Sequence, residues 1–349
     1  MKKRNDGRYQ LSVPLSDGTR KLVYGKTIAE VKEKSDMLLK MDRQGLNLDD
    51  DTLVGEWAIQ WFDVYKSSLR TSTKESYRNA LNTHILPIIG NMRVRDVKPI
   101  HCQKVMRNVA KKAEDTQKKV LHTMQQLFHA AQKNGLTLQN PAEDLKITPI
   151  TRDERKKSLT PDEQKILLHN VAQLDDQRAL RLVATCIYAG TRREEVLGLF
   201  WSDLQEDGLH IQRAYGFPTN NMPDPDHSLK TKAAYRVVPV PDKLRKIYAC
   251  SRKTGVFVIG NADGGEPTFT SYRRLWEKVK AVSPVPGLTI HMLRHTYVTN
   301  LWRAGIDLKT AQVWAGHSNI SVTAEIYTHA DMEGGRKIAA KYFDYIENL

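Results

Sequence analysis

The stretch TIHMLRHTYVTNL, residues 289–301, decides how the C-terminal half of the chain folds. Read as a helix, it places His291 and Arg294 on one face, because residues three apart are neighbours on a helix surface. Four apolar residues can then face the interior: Met292, Leu293, Val298 and Leu301. Arginine offers a forked set of donors and histidine a movable proton, so the polar face is suited to bind an anion.

The charge of the chain indicates a polyanionic partner. Its 349 residues include 54 Lys and Arg against 40 Asp and Glu, which gives a formal net charge of +14 and a pI near 9.5. An excess of this size favours nucleic acid as the partner. The alternative is a basic protein whose charge serves only solubility.

The sequence predicts neither a membrane segment nor a metal or cofactor site. It has no run of about 18 apolar residues, and MKKRNDGRYQ has the positive start of a signal peptide without the apolar stretch. Cys102, Cys186 and Cys250 form no CxxC pattern and suit a reducing compartment. Neither a P-loop nor an acidic metal cluster is visible. We therefore expect a cytoplasmic protein that needs no metal and no cofactor.

Residues 1–46 are predicted to form a small β-sheet packed against one helix. RYQLSVPL alternates apolar and polar residues, ends at the turn signal SDG, and is followed by a second strand, TRKLVYG. Two strands are marginal alone, so a third is expected from the first residues of the chain. Thr27 is placed to cap the helix, with Glu30 completing a capping box. The candidates for DNA contact on this sheet are Arg8, Arg20 and Lys21. The alternative is that the sheet only docks on the next domain.

Residues 52–146, after a polar linker at 44–51, are predicted to form a bundle of four helices. Apolar residues recur at helical spacing in LVGEWAIQWFDVYKSSL, and three further helices follow. The helix that begins TKESYRNAL is expected to stop at Pro87 and Gly90. A run of basic residues on such helices is often only a solvated face. The candidates for DNA contact in the bundle are Lys74 and Arg78.

A charged segment with two prolines, residues 145–164, marks the boundary before a third unit that runs from residue 155 to 349. In it, RALRLVATCIYAGTRREEVLGLFWSDL predicts a helix, a break at AGT and a second helix. Arg192 lies in the first turn of the second helix, and Glu195 is placed to orient its guanidinium through a salt-bridged hydrogen bond. An isolated arginine at a helix start is more commonly an ordinary surface residue.

Two further segments hold polar residues beside predicted turns. LHIQRAY and LKTKAAYRVVPVP read as the strands of a hairpin, with Lys230 and Lys232 near its tip. A lysine there can give a proton to a ligand if its pKa falls, although tip lysines are usually only solvated. In VWAGHSNISVTAEIYTH, Gly316 ends a helix, His317 follows it, and Tyr327 lies in an amphipathic segment where packing is the commoner role.

The order of these residues resembles that of the tyrosine recombinases, the integrase family of phages and mobile elements. The matching segments, which span residues 155–330, are AGTRREEVLGLFWSDL, LKTKAAYRVVPVP, TIHMLRHTYVTNLWRAG and VWAGHSNISVTAEIYTH. The resemblance implies a multidomain, mostly α fold with small β-sheets, like that of the three-domain integrases of temperate phages and conjugative transposons. Its parts would be an arm-type DNA-binding domain at 1–46, a SAM-like helical core-binding bundle at 52–146 and an α+β catalytic domain with a C-terminal tail at 155–349.

The resemblance also implies a role for each residue of the constellation. Arg192 and Arg294 hold the scissile phosphate, and Tyr327 is the nucleophile that attacks it. Lys230 gives a proton to the leaving 5′ oxygen, and Lys232 is its competitor for that role. Counting back from VVP to the Lys-Thr pair favours Lys230, as in the family's usual KT…P arrangement.

The three histidines of the constellation receive different roles. His291 is similar to the family's general base toward the tyrosine, and His317 to a second phosphate contact. His295 fits the same box but is interpreted as a supporting residue that bonds into the core, and Glu195 supports Arg192. In the tail, IAAKYFDYI closes its own domain or docks on a neighbouring protomer, with Phe343 and Ile346 as anchors.

The function implied is that of a site-specific DNA integrase that cleaves and rejoins strands through a 3′-phosphotyrosyl bond and a Holliday-junction intermediate. Such an enzyme integrates and excises a mobile element or prophage as a homotetramer on double-stranded DNA, at core-type and arm-type attachment sites. An excisionase and a host DNA-bending protein are further partners that the resemblance implies. The alternatives are a type IB topoisomerase-like enzyme, with the same chemistry, and a catalytically inactive DNA-binding regulatory protein.

Overall fold

The computed structural model describes residues 1–16, 18–43, 51–150, 158–217, 221–224, 226–229 and 231–328. The chain divides into two compact units, Met1–Arg152 and Asp153–Leu349. The division falls inside the charged segment at 145–164, and the separation of the first unit into two domains stays a prediction. Among the described residues, no helix is long and apolar enough to cross a membrane.

The first unit begins with a three-stranded antiparallel sheet and one helix. The elements are β1 (Lys2–Lys3), β2 (Tyr9–Pro14), β3 (Arg20–Gly25) and α1 (Ile28–Arg43). β2 lies between β1 and β3, with Tyr9 opposite Gly25 in the register. The third strand expected from the first residues is therefore confirmed. Val13 and Val31 are buried where α1 packs on the sheet.

The start of α1 is capped much as the sequence predicts. The Thr27 hydroxyl accepts a hydrogen bond from the backbone N–H of Glu30 at 3.1 Å. The Glu30 carboxylate reaches back to the backbone N–H of Lys26 at 2.7 Å, one residue earlier than a capping box requires. The Thr27 hydroxyl thereby satisfies one of the donors that a helix start leaves without partners, and Glu30 binds the N–H of the residue before the cap.

The rest of the first unit is helical around its own core. The helices are α2 (Val54–Tyr65), α3 (Thr71–Asn79), α4 (Leu86–Ile89), α5 (Pro99–Val109) and α6 (Glu114–Lys133). Trp61 and Phe128 are among its largest fully buried side chains, and Trp61 meets Tyr77 edge to face with ring centroids 5.8 Å apart. A π-helical segment, Ala80–Ile85, joins α3 to α4 in one continuous helical run.

The expected stop at Pro87 is wrong, because the helical run continues to Ile89. Proline lacks a backbone N–H and collides with the carbonyl four residues earlier in a regular α-helix. The π-helical segment changes the hydrogen-bonding register just before the proline, so that the N–H of Leu86 bonds to the carbonyl of Leu81, five residues back. Gly90, the other expected stop, follows the last helical residue.

The second unit wraps its helices around a long buried helix, α8. The elements are α7 (Pro161–Ala172), α8 (Arg178–Ala189), α9 (Arg193–Leu197), β4 (Leu209–Ile211), β5 (Arg236–Val238), α10 (Asp242–Ala249), α11 (Phe269–Ala281), α12 (Ile290–Arg303), α13 (Leu308–Ala315) and α14 (Ile320–Thr328). α8 contacts α7, α10, α11 and α12. Nine of its twelve residues are buried, which is why its sequence is apolar almost all round.

The predicted hairpin is present but short. β4 and β5 pair antiparallel over three residues each, with Ile211 opposite Arg236. A single 3₁₀ turn, Lys232–Ala234, precedes β5 in place of the longer strand that the sequence suggested. The hairpin brings Arg236, a charged residue, into the hydrophobic interior of the unit.

Candidate active site

The site begins where α8 ends. Gly190 closes α8 in the left-handed conformation, with φ +61°, and the chain turns at once into α9. A side chain at this position would collide with the ring of Tyr297, since an added Cβ would lie 2.1 Å from its Cδ1 atom. Glycine is therefore required both by the backbone and by the packing. The tight turn places Arg192 directly beside the C-terminal end of α8.

Three arginines surround one buried carboxylate, that of Glu195, which is 2% exposed. Arg192 Nη1 lies 2.6 Å from Glu195 Oε1, and Arg294 Nη1 lies 3.9 Å from Oε2. Arg236 binds the carboxylate with both of its terminal nitrogens, at 3.2 and 2.9 Å. We refer to Glu195, Arg192, Arg236 and Arg294 as the arginine cluster.

The arginine cluster also holds the C-terminal end of α13. Arg236 Nε donates to the carbonyl of Trp314 at 2.8 Å, Arg294 donates to that of Ala315, and Arg192 donates to that of Gly316 at 2.8 Å. The last carbonyls of a helix lack partners within it and carry partial negative charge. Three consecutive carbonyls are thus each bound by a different guanidinium.

This arrangement places His317 beside the same arginines. A cavity of about 200 Å³ is lined by Arg192, His291, Arg294, His295 and His317, with Val322 and Ile326 of α14 completing its wall. A second cavity of about 340 Å³ adjoins it and shares three of these residues: Arg192, His291 and Arg294. The structure therefore brings together two guanidiniums and two imidazoles that the sequence predicts to act on one phosphate.

The charges of the cluster determine the protonation of its neighbours. Burial alone would raise the pKa of Glu195, but Arg236, Arg294 and Arg192 together lower it to about 2, so the carboxylate is ionised at neutral pH. Burial and the positive charges of Arg294 and Arg192 lower the pKa of His317 to about 3. Partial burial and the same two arginines also lower the pKa of His291. Neutral imidazoles therefore face the cavity, as a proton acceptor requires.

His317 is held from the side of α14 as well. Its Nδ1 atom lies 2.8 Å from the hydroxyl of Thr323, which is fully buried. Its backbone N–H bonds to the carbonyl of Gln312, and the Gln312 side chain donates to the His317 carbonyl. These contacts fix the orientation of His317, which lines the cavity.

Tyr327 is half-buried on α14 and turned to a different partner. Its hydroxyl donates to the backbone carbonyl of Ile306 at 3.1 Å, and its ring packs against the hydrophobic core of the unit. Burial and the negative charge of Asp307 raise the pKa of its phenol to about 12. The structure therefore shows the predicted nucleophile protonated and engaged by the loop that follows α12.

His295 lines the cavity and meets His291 edge to face, with ring centroids 4.6 Å apart. The side chain thus stands at the cavity wall as well as against its helical neighbour. Its predicted supporting role stays a prediction.

Two sequence predictions fall on residues that the structure does not describe. Lys230 lies outside the described residues, and so does the tail, residues 329–349, with Phe343 and Ile346. Lys232, the competitor of Lys230, is exposed at the start of the 3₁₀ turn before β5.

The residues predicted to contact DNA lie at the surface of the first unit. Arg8 is exposed and paired with Asp6 at 2.9 Å, and Arg20 is exposed on β3. Arg78 is exposed, ion-paired with Glu75 at 2.8 Å and stacked over the ring of Phe62. Lys21 and Lys74 are partly buried. No group of three or more His, Cys, Asp or Glu side chains in the described part of the chain could hold a metal ion.

Sequence reasoning missed Arg236 and Thr323. Arg236 lies three residues before the proline of VVP, in the segment whose lysines are the candidates for proton transfer. A buried arginine in an alternating strand is a recognisable signal, because charged residues are almost never fully buried unless they are paired. Thr323 carried no such signal, since threonine is common on helices as a packing residue.

Comparison with known proteins identifies the family. The sequence profile of the phage integrase family matches residues 157–334, and that of the phage integrase N-terminal SAM-like domain matches residues 53–108. The chain therefore belongs to the phage integrase family. The match includes the arginine cluster, both cavities and Tyr327.

Relatives and solved structures agree with the family. A tyrosine recombinase XerC-like protein of Caldanaerobacter subterraneus subsp. tengcongensis is 28% identical over 345 residues, covering 89% of this chain and 88% of the relative. A tyrosine recombinase of Thermosipho africanus is 26% identical, over 79% of this chain and 96% of the relative. The Tn1549 transposon integrase, solved in complex with a circular intermediate DNA, matches with a TM-score of 0.69 at 20% identity, over 83% of this chain and 99% of that one.

A fourth similarity covers almost the whole chain. The lambda integrase, solved as a tetramer bound to a Holliday junction, matches over 94% of this chain and 93% of that one, with a TM-score of 0.61 and 17% identity. These matches confirm the predicted multidomain, mostly α fold with small β-sheets. They do not favour the topoisomerase-like or binding-only alternatives.

Proposed function

We propose that this phage-integrase family member is a site-specific DNA recombinase that integrates and excises a mobile element. It cleaves one DNA strand at a time, stores the bond as a 3′-phosphotyrosyl linkage and rejoins the strand to a new partner. The observation that carries the proposal is the pair Arg192 and Arg294, held by Glu195 at the edge of a cavity that also presents His291 and His317.

The two arginines meet the electrostatic demand of the reaction. A phosphodiester carries one negative charge, and attack on phosphorus places more charge on its non-bridging oxygens. Guanidiniums bind such oxygens through forked donors, and donors that are already fixed in place stabilise the added charge without reorganising. Arg294 is 3% exposed and donates to the carbonyls of Gly190 and Ala315, so it is fixed before DNA binds.

The chemical step makes one bond to phosphorus and breaks another. The phenolic oxygen of Tyr327 bonds to phosphorus, its proton passes to His291, and the bond from phosphorus to the 5′ oxygen breaks. Lys230 gives its proton to that oxygen, which leaves as a 5′ hydroxyl. The 5′ hydroxyl of another strand reverses these steps and releases the tyrosine. Each positioned proton transfer contributes about 10²–10⁴-fold to the rate.

Tyr327 has to change partner for this reaction. A phenol with a pKa of about 12 is ionised to only about 10⁻⁵ at pH 7. Its hydroxyl is also bound to the Ile306 carbonyl. We therefore expect DNA binding or protomer assembly to move α14 so that Tyr327 leaves Ile306 and meets both the phosphate and a base.

The partners follow from the charge and the family. Double-stranded DNA is the substrate, bound at core-type sites by the helical part and at arm-type sites by the N-terminal sheet, through residues such as Arg8, Arg20 and Lys74. Solved relatives include a lambda integrase tetramer on a Holliday junction, and we propose a homotetramer here. An excisionase and a host DNA-bending protein are expected to set the direction of the reaction.

A nicked suicide duplex tests the proposal. Candidate sites are first captured as SDS-resistant adducts from fragmented DNA that flanks the gene, and the duplex is then built from the captured sequence. Wild type is expected to accumulate a covalent adduct that Tyr327→Phe abolishes. Tyr188→Phe, which alters a partly buried tyrosine of α8 instead, is the matched control and is expected to form the adduct as wild type does.

Three results would contradict parts of the proposal. An adduct formed by Tyr327→Phe means that another residue is the nucleophile. Binding of the same duplex without any adduct in wild type supports a binding protein without catalysis. Relaxation of supercoiled plasmid without strand exchange between two sites supports topoisomerase-like chemistry.

A further inference from the structure

A single side chain, that of Arg236, contacts three of the segments that meet at the site. Arg236 is the first residue of β5, and its side chain is only 2% exposed. Of its five N–H donors, four are engaged: Nε on Trp314, Nη1 on Glu195 and Ala234, and Nη2 on Glu195. The role that the sequence suggested for this hairpin, proton transfer from a lysine, does not explain these contacts.

Each contact of Arg236 leads to a different part of the site. Through Glu195 it fixes Arg192, whose backbone N–H and guanidinium both donate to the same carboxylate. Through the carbonyl of Trp314 it holds the end of α13, three residues before His317. Through the carbonyl of Ala234 it fastens the 3₁₀ turn that begins at Lys232.

Charge balance alone does not require Arg236. Glu195 carries one negative charge, and Arg192 and Arg294 already supply two positive charges beside it. Arg236 adds a second buried guanidinium to that of Arg294, at a desolvation cost that a neutral residue of similar volume would avoid. Buried ion pairs are often no more stable than apolar replacements. The guanidinium of Arg236 contributes directional contacts, because its planar fork can bind a carboxylate and two carbonyls in fixed directions.

We propose that Arg236 is a positioning residue for strand cleavage, which sets the orientation of Arg192 through Glu195 and the position of His317 through the end of α13. The inference rests on the proposed function for its catalytic consequence. Its structural consequence, the placement of His317, can be measured on the free protein.

The backbone beside Arg236 is shaped to receive it. Gly316 adopts a left-handed conformation with φ +64°, and a Cβ added there would lie 2.9 Å from Arg236 Nη1 and 3.0 Å from its Cζ atom. The guanidinium therefore lies directly against the residue that precedes His317. A displaced Arg236 would release this backbone and the ring that follows it.

The test compares Arg236→Lys and Arg236→Gln with a matched control, Arg213→Lys. Arg213 also pairs with a largely buried carboxylate, Asp203, at 2.6 Å, but it lies outside both cavities. Adduct formation on the suicide duplex is expected to fall by about 10²–10³-fold in the Arg236 variants, with the Kd for the duplex within about threefold of wild type. Arg213→Lys is expected to cleave within about threefold of wild type at a similar loss of thermal stability.

The second readout needs no DNA. Titration of the His317 ring by NMR in the free protein is expected to show its pKa rising toward the ordinary histidine value in both Arg236 variants, because the released ring is less buried; in Arg236→Gln a positive neighbour is lost as well. The control is expected to leave it unchanged. Arg236→Lys keeps the charge, so a rise in the pKa of His317 in that variant reports release of the ring alone, and it can be measured even if Arg236→Gln does not fold.

The outcomes separate the two proposals. Wild-type adduct rates in both Arg236 variants, or an unchanged His317 titration, would overturn the positioning role. An altered His317 titration with no adduct in wild type would leave the positioning role standing and remove the proposed function. A fall in rate that matches that of Arg213→Lys would reduce Arg236 to a stabilising residue and so refute the proposal.

Discussion

The arginine cluster and the helix that carries Tyr327 lie in one unit but are held in different ways. Arg236 and Arg294 are nearly inaccessible, and together with Arg192 they bind Glu195 and three consecutive carbonyls of α13. Within the part of the chain that the structure describes, the Tyr327 hydroxyl makes one hydrogen bond, to a loop carbonyl, and Ile320 and Val322 of α14 are exposed.

This difference indicates which half of the site is built in advance. Moving an arginine of the cluster would leave a buried charge and several carbonyls without partners, which is costly. Moving Tyr327 exchanges one hydrogen bond for another, and such an exchange is worth only about 0.5–1.5 kcal/mol. The arginine cluster is therefore expected to be the same with and without DNA, and Tyr327, the proposed nucleophile, is expected to be the part that moves.

Arg294→Ala is the change expected to impair the arginine cluster most severely. It removes a phosphate donor and leaves the carbonyls of Gly190 and Ala315 without their partner. Adduct formation is expected to fall by about 10³-fold or more, while DNA binding changes little, because most of the affinity comes from other phosphate contacts. Single-turnover cleavage and a binding titration on the same duplex measure the two effects.

The control for Arg294→Ala is Arg181→Ala. Arg181 is a similarly buried arginine of α8 whose Nε donates to the carbonyl of Val258 at 2.9 Å. It is expected to lose stability without losing the cleavage step. Equal losses of cleavage in the two variants would mean that Arg294 acts only by stabilising the fold.

Where the signal is local, the sequence predicted which residues of the arginine cluster and its neighbours lie close together. His291 and Arg294 are one turn apart on a helix, and Arg192 and Glu195 are three residues apart, so spacing alone places each pair together. The glycine that ends α13 in the left-handed conformation likewise predicts that His317 lies directly after that helix. These relations need only helical geometry, and for that reason they could be read without a structure.

The contacts of Arg236 could not be predicted in the same way. Its partners Glu195 and Trp314 are 41 and 78 residues away along the chain, so the contacts depend on how the hairpin packs against two helices. The helical run through Pro87 was missed for a related reason, since the π-helical register that accommodates the proline is a property of the folded bundle. The partner of the Tyr327 hydroxyl is a backbone carbonyl, which no residue type reveals.

Gly316→Ala tests the arginine cluster by displacing its side chains without removing a charge. An alanine in the left-handed conformation costs about 1–2 kcal/mol, and here its Cβ would also press on the Arg236 guanidinium. Gly287→Ala is the matched control, because Gly287 has a similar φ of +69° with nothing within 4 Å of an added Cβ. Both variants are expected to lose thermal stability.

Only Gly316→Ala is expected to slow cleavage beyond this loss, by about tenfold, the effect of roughly 1.4 kcal/mol at the transition state. Thermal unfolding and single-turnover cleavage of both variants separate the two effects. If Gly287→Ala slows cleavage as much, the slowing reflects stability alone, and the cluster tolerates displacement better than its packing suggests.

Asp307→Asn tests the helix that carries Tyr327, the part of the site expected to move, and it has the smallest expected effect. Asp307 caps α13 by accepting from the backbone N–H of Thr310 at 2.9 Å, and asparagine caps helices about equally well. The change removes a negative charge that disfavours the phenolate, so the pKa of Tyr327 is expected to fall from about 12 toward the ordinary tyrosine value. Difference titration of the phenol, with Tyr327→Phe in each background as the reference, measures the shift.

Because Asp307 is a secondary cause after burial, the gain in adduct formation is expected to stay below about threefold, and to be the same at every pH well below the pKa of Tyr327, since the phenolate fraction there rises by a constant factor. A gain of tenfold or more would mean that ionisation of Tyr327, and not its release from Ile306, limits cleavage. In that case the arginine cluster and Tyr327 differ in their readiness to carry the charge that the reaction needs, and not in their freedom to move. A small gain, together with the intact hydrogen bond to Ile306, places the barrier in the movement of α14.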